Sequence, residues 1–176
     1  LITANDSASL AVGGLSGRFS GTVSDSFTKG TINAATSVGG IVGTSSSVSI
    51  INSFSESNVT GTGTNIGGIV GSINASSISS VTNSYSTGNI TGSDLVGGIA
   101  GSLTAIVSIQ NNYQLGNIVG RTQVGGIVGQ TSGSNLRYNN NLSIGNVTAT
   151  IANPQNVTNV GPIFGLVGST ISQSNN

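Results

Sequence analysis

Val38-Gly39-Gly40-Ile41-Val42-Gly43 is a hexapeptide that returns almost unchanged along the chain. It is preceded by Val12-Gly13-Gly14-Leu15-Ser16-Gly17 and followed by IGGIVG from Ile66, VGGIAG from Val96, VGGIVG from Val124 and VGPIFG from Val160. The starts at 12, 38, 66, 96, 124 and 160 set spacings of 26, 28, 30, 28 and 36 residues. A period in this range marks an array in which one supersecondary unit stacks on the next.

A second anchor follows each of the first five hexapeptides: Phe27, Phe54, Tyr85, Tyr113 and Leu142. Around it the register is strict. Asp25, Asn52, Asn83, Asn111 and Asn140 stand two residues before it, and Val23, Ile50, Val81, Ile109 and Tyr138 four before it. Thr31, Asn58, Asn89, Asn117 and Asn146 follow four residues after it, and Ile32, Val59, Ile90, Ile118 and Val147 come next. The consensus reads N-S-[FY]-S-x-G-N-[VI]-T-G.

Period-two alternation turns the residue four before the anchor, the Asn or Asp and the anchor itself to one face, and the intervening serines to the other. This predicts a strand with Phe27, Phe54, Tyr85, Tyr113 and Leu142 in a core ladder. Ile32, Val59, Ile90, Ile118 and Val147 form a second inward ladder after an x-Gly bend. The column Asp25, Asn52, Asn83, Asn111 and Asn140 is then an inward amide ladder at a corner, bonded up the stack because an unpaired buried amide is costly. No single repeat buries its own apolar face, so the repeats must stack. The expected fold is all-β: a parallel β-solenoid, or β-helix, of about six coils, with roughly 28 residues and three short strands per coil. Residues 1–11 are expected as an N-terminal strand or cap, 12–168 as the repeats and 169–176 as a C-terminal tail. Length varies between the Gly motif and the anchor, as at Thr44–Val48 and Ser72–Ser80, where loops can bulge outward.

Composition agrees with an array rather than a globule. Aromatic residues are 4% and charged residues 5% of the 176, so neither a core of bulky side chains nor a charged surface can be built. The surface has to be Ser, Thr and Asn. Four Lys+Arg balance four Asp+Glu, and Arg18, Lys29, Arg121 and Arg137 are dispersed, which leaves no footprint for nucleic acid or anionic lipid. No apolar run reaches transmembrane length. The chain begins at Leu1 rather than Met, as expected of a mature secreted product or an excised segment.

VGGIVG followed by N-S-[FY]-S-x-G-N-[VI]-T-G resembles the GLUG repeat of large bacterial surface proteins, including adhesins and passenger regions of secreted peptidases. The resemblance covers Val12 to Gly168. It implies an extracellular, cell-surface stalk or adhesive module and brings no catalytic residues with it. The last repeat departs from the pattern, with Pro162 at the second Gly and no aromatic after Val167, as in a partial coil.

Parallel β-helices often cleave polysaccharides, which requires two carboxylates about 5–9.5 Å apart. Asp25 and Glu56 lie on adjacent coils but four positions apart, on the order of 13 Å along a strand. With no His, no Cys and one Lys, nucleophile-activating and metal-binding sets lack members. No enzyme activity, cofactor or metal is predicted. The Gly doublets lack the Lys and helix of a phosphate loop, so they are read as tight corners and close backbone stacking. Lys29 and Glu56 share a column and are expected to pair across coils at the surface.

Sequons occur at Asn5, Asn58, Asn74, Asn89, Asn141, Asn146 and Asn156, and Asn58, Asn89 and Asn146 share one outward column. These are the candidate N-glycosylation sites. The functional expectation is a non-enzymatic extracellular structural or adhesive element, flanked by further repeats of a larger surface protein and contacting cell-surface or glycan ligands. The alternative is a secreted glycoprotein subunit that stacks on itself end to end, or donates a strand, to form a filament. A polysaccharide-binding or an ice-binding face is a more remote reading, the latter because the Thr column is broken by Asn33 and Val119.

Overall fold

The computed structural model describes residues 1–4, 11–75, 77–104, 106–132, 135–150, 159–167 and 171–174. They form an all-β parallel solenoid without a helix, in which every strand pairs with its counterpart one repeat away. The register is that of the columns: Ile66 pairs with Val38 and Val96, Val81 with Ile50 and Ile109, and Tyr85 with Phe54 and Tyr113.

Four ladders, one more than the three strands expected per coil, run up the stack. A floor sheet carries the anchor and the N-[VI]-T segment. It includes Phe27–Ala34 and Phe54–Gly61 as unbroken strands, then pairs of short strands such as Tyr85–Ser86 with Ile90–Thr91. The hexapeptide supplies two limbs: the first contains Val38–Gly39 and Thr64–Gly67, the second Val42–Ser45 and Val70–Ile73. A side sheet, with Val48–Ile51 and Ser79–Thr82, closes the coil. The segments joining the second limb to the side sheet vary in length, from two residues between Ser45 and Val48 to five between Ile73 and Ser79, and all four registers hold across them.

The hexapeptide folds as an arch that plunges into the coil. Val38, Ile66, Val96 and Val124 face one hydrophobic core, shared with Ile32, Val59, Ile90 and Ile118 of the floor. Ile41, Val42, Ile69, Val70, Ile127 and Val128 face a second core, shared with Val48, Ile50, Val81 and Tyr138 of the side sheet. The two limbs meet backbone to backbone. A Cβ built at Gly43 would lie 2.8 Å from the Ser37 carbonyl oxygen, and one at Gly67 2.9 Å from the Gly101 nitrogen. At the tip, a Cβ at Gly68 would strike the Gly98 carbonyl and the Ser86 side chain. Each motif glycine is therefore a close-approach position, and the hexapeptide divides the interior instead of turning an outer corner.

Ile2–Thr3 pairs with Ile32 and Asn33 as a first rung of the floor, consistent with an N-terminal strand. At the other end the expected tail is corrected. Ile171–Ser174 pairs with Leu136–Asn139 as a further rung of the side sheet.

Candidate functional surface

The anchor ladder is corrected in position. Phe27 is 65% exposed, Tyr113 37% and Leu142 54%, whereas Ile32 is 2% and Val59, Ile90 and Ile118 are 0% exposed. Phe54 and Tyr85 are half-buried, and Val147 packs partly buried at the edge of the first core. The anchors stack on the outside of the floor, not within a core. The cause is backbone conformation at the preceding corner. Asp25, Asn52, Asn83, Asn111 and Asn140 take φ of 49, 50, 52, 55 and 52°. A left-handed residue swings the chain and reverses which parity of side chain points inward. Asn and Asp tolerate that region better than other residues with a Cβ.

Those five residues are consequently an exposed amide ladder rather than an inward one. Asn52 Nδ2 donates to Asp25 Oδ1 at 3.3 Å, Asn83 to Asn52 at 3.4 Å, Asn111 to Asn83 at 3.0 Å and Asn140 to Asn111 at 3.1 Å. The inward places are taken by Ser53, Ser55, Ser57, Ser84, Ser86, Asn112, Gln114 and Asn141, all buried. They form ladders of their own. The backbone amide of Ser53 donates to Ser84 Oγ at 3.2 Å, that of Ser84 to Asn112 Oδ1 at 3.0 Å and that of Asn112 to Asn141 Oδ1 at 3.2 Å. Sequence reasoning missed this buried polar column. The signal was available, since a repeated Asn or Asp directly after an apolar strand is the non-glycine signature of a left-handed corner.

Ser86 Oγ and Ser143 Oγ are buried without a conventional hydrogen-bond partner. Each lies where a Cβ of the facing arch glycine, Gly68 or Gly126, would be. A glycine Cα–H pointing at the oxygen compensates in part, and the column favours small side chains.

Outside, the floor presents four columns. Phe27, Phe54, Tyr85 and Tyr113 stack with ring centroids 5.3, 4.7 and 4.6 Å apart and interplanar angles of 13, 4 and 7°. Stacking covers the ring faces and leaves edges toward solvent, so the ladder offers little area for a sugar ring to lie on. Beside it Lys29 Nζ and Glu56 Oε2 form the expected cross-coil pair at 2.9 Å. The third column is a second amide ladder. Asn58 Oδ1 accepts the Asn89 amide at 2.9 Å, Asn89 Oδ1 that of Asn117 at 2.9 Å, and Asn117 Oδ1 that of Asn146 at 3.2 Å. The fourth contains Thr60, Thr91, Val119 and Thr148.

The sequons divide by position. Asn58, Asn89 and Asn146 are exposed on the floor, and Asn74 is exposed beside a side loop, where its Oδ1 accepts from Thr104 at 2.8 Å. Asn141 is corrected: it is 6% exposed and its amide donates to the Ile109 carbonyl at 2.8 Å, which removes it from any glycosylating enzyme in the folded chain. Asn5 and Asn156 lie outside the described residues.

Asp94 and Arg121 pair at 2.7 Å near the start of the first limb. Burial alone would raise the Asp94 carboxyl, but hydrogen bonds from Thr122, Arg121 and Ser93 and the Arg121 charge outweigh it and hold its pKa below the ordinary value. Burial pushes the Tyr113 phenol up, reinforced by neighbouring Tyr85. Among the described residues no three of His, Cys, Asp or Glu come together. A cleft of about 360 Å³ lies along Ile78, Ile106, Val107, Ser108, Asn135 and Arg137, with the Arg137 guanidinium as its one ionised group. No family model, no curated protein and no solved structure matches the chain.

Proposed function

We propose that this chain is a non-enzymatic structural and adhesive element, a stalk or adhesin module displayed outside the cell. The observation that carries the reading is how the repeated positions are used. The arch glycines, both apolar cores, the buried serine and asparagine column and the outer amide ladders all serve stacking of one coil on the next. Such a body extends by repetition at about 4.8 Å per coil, and its floor presents stacked aromatic rings, amides and Thr with few charges, those of Lys29 and Glu56 being paired. The likeness of its repeat to the GLUG repeat of bacterial surface proteins supports the same reading, and exposed Asn58, Asn89, Asn146 and Asn74 are its candidate glycan attachment points.

A second reading is a filament subunit that stacks end to end. It is favoured by the parallel register of the outer rungs: Ile2–Thr3 pairs with Ile32 and Asn33, and Ile171–Ser174 with Leu136–Asn139, in the same rung-on-rung mode by which a second copy would add. Negative-stain electron microscopy of the purified chain separates the readings. Dispersed short rods, about 25 Å for about five turns at the strand spacing, that adhere to immobilised cell-surface glycans support the first. Uniform filaments support the second, and rods that bind no surface contradict adhesion.

A further inference from the structure

We propose that Tyr85 and Tyr113 form a built oxidative cross-linking site, at which a peroxide acting through a haem peroxidase joins two adjacent coils as a dityrosine. This inference rests on the outer aromatic ladder alone and holds for either functional reading.

Chemical selection comes first. The chain contains no Cys, Met, Trp or His, so tyrosine is its most readily oxidised side chain, and there are only three. Tyr138 is fully buried in the second core, packed edge-on against Phe164 at 4.5 Å and 82°. Tyr85 and Tyr113 are both accessible on the floor's outer face. One-electron oxidants that reach the surface therefore meet these two phenols.

Geometry then selects the product. Tyr85 and Tyr113 are direct parallel-ladder partners, and their rings lie 4.6 Å apart at 7°. The same register that stacks the rings sets the two phenols as neighbours on adjacent coils. Phe54 stacks on the far side of Tyr85 at 4.7 Å and has no phenol to couple. The ladder thus isolates a single competent pair.

The step balances. Each phenol loses one electron and its hydroxyl proton, leaving two phenoxyl radicals whose spin density is shared with the ortho carbons. A Cε–Cε bond forms between the rings, and each coupled carbon gives up its hydrogen as a proton as the phenol is restored. In sum, two tyrosines and one hydrogen peroxide yield one dityrosine and two waters. The product staples neighbouring coils through residues 28 positions apart (113 − 85). A link between floor rungs opposes their separation when the rod is pulled.

The test treats the dilute folded chain with hydrogen peroxide and a haem peroxidase, followed by intact mass, blue dityrosine fluorescence and peptide mapping. The expected result is a monomer lighter by two hydrogens, with Tyr85 joined to Tyr113. Tyr85→Phe and Tyr113→Phe keep the ring stack and should each abolish that species, while circular dichroism stays unchanged. In denaturant the same treatment should lose the Tyr85–Tyr113 selectivity. Covalent dimers without the internal link, persistence of the link in Tyr85→Phe, equal yield from the unfolded chain, or no coupling would each overturn the proposal.

Discussion

The strand Phe54–Gly61 sets two regions of the molecule against each other across a single thickness of sheet. On its outer side run the stacked aromatic rings and the exposed amides. On its inner side run Ser55, Ser57 and Val59, buried beneath the arch. The more bulky and more apolar column is outside. Interior volume explains the inversion. The arch tip reaches the floor at Gly40, Gly68 and Gly98, and only Ser or the narrow stem of Gln114 fits beneath it, whereas the aromatic rings find partners one coil away without entering the core. Hydrophobicity ranks residues by preference for burial, but in a solenoid a ring also buries both faces against its own repeats.

The largest effect expected from this contrast is on the inner side. Ile90→Ala removes a fully buried member of the first core and should cost about 2–5 kcal/mol in chemical denaturation. The outer counterpart Tyr85→Ala loses two ring stacks at the surface, for about 1–3 kcal/mol. Equal losses at the two positions would erase the distinction between faces.

The amide ladders allow the same comparison between polar residues. Asn112→Ala removes the buried acceptor of the Ser84 amide and a donor to the Val81 carbonyl, and should cost about 1–3 kcal/mol. Asn83→Ala, in the exposed ladder, should cost less than that, mainly through its left-handed φ. Glu56→Gln should change stability by no more than about 1 kcal/mol, with the difference vanishing in high salt because the pair is exposed.

Asp94 offers a small pH effect of defined sign. Its folded pKa lies below the ordinary value, so its contribution is present above the unfolded pKa and fades as pH falls through the folded one. Asp94→Asn should flatten the acid limb of stability against pH. An unchanged acid limb would mean that the Thr122 and Arg121 contacts do not hold in solution.

Much of this architecture is legible in the repeats. Repeats in register predict parallel stacking, and the Ile32, Val59, Ile90 and Ile118 column does point inward, although Phe27–Ala34 and Phe54–Gly61 run unbroken where an x-Gly bend was expected to turn it there. The Lys29–Glu56 pair followed from the same frame. What parity could not supply was the phase across Asn52 and its equivalents. Alternation assumes extended backbone at every step, and one residue at positive φ ends that assumption for everything downstream until the next corner. A second left-handed column at Ser37, Asn65, Leu95 and Gln123 shows why the rest was harder: two of its members, Leu95 and Gln123, carry no local preference for that region and are held there by the stack. The arch was hidden for a similar reason. A glycine doublet reads as a corner by propensity, and only the facing backbone reveals it as a seam.

The reversal of side-chain direction at Asn52, Asn83 and Asn111 organises the whole floor, and the absence of native cysteine makes it directly measurable. Single replacements Asn83→Cys, Ser84→Cys, Tyr85→Cys and Ser86→Cys, each treated with a thiol reagent in the folded state, read the direction of four successive side chains. Rapid labelling is expected at 83 and 85, with protection at 84 and 86 until the chain unfolds. Protection at 83 and 85 with rapid labelling at 84 and 86 would restore uninterrupted alternation and contradict the reversal.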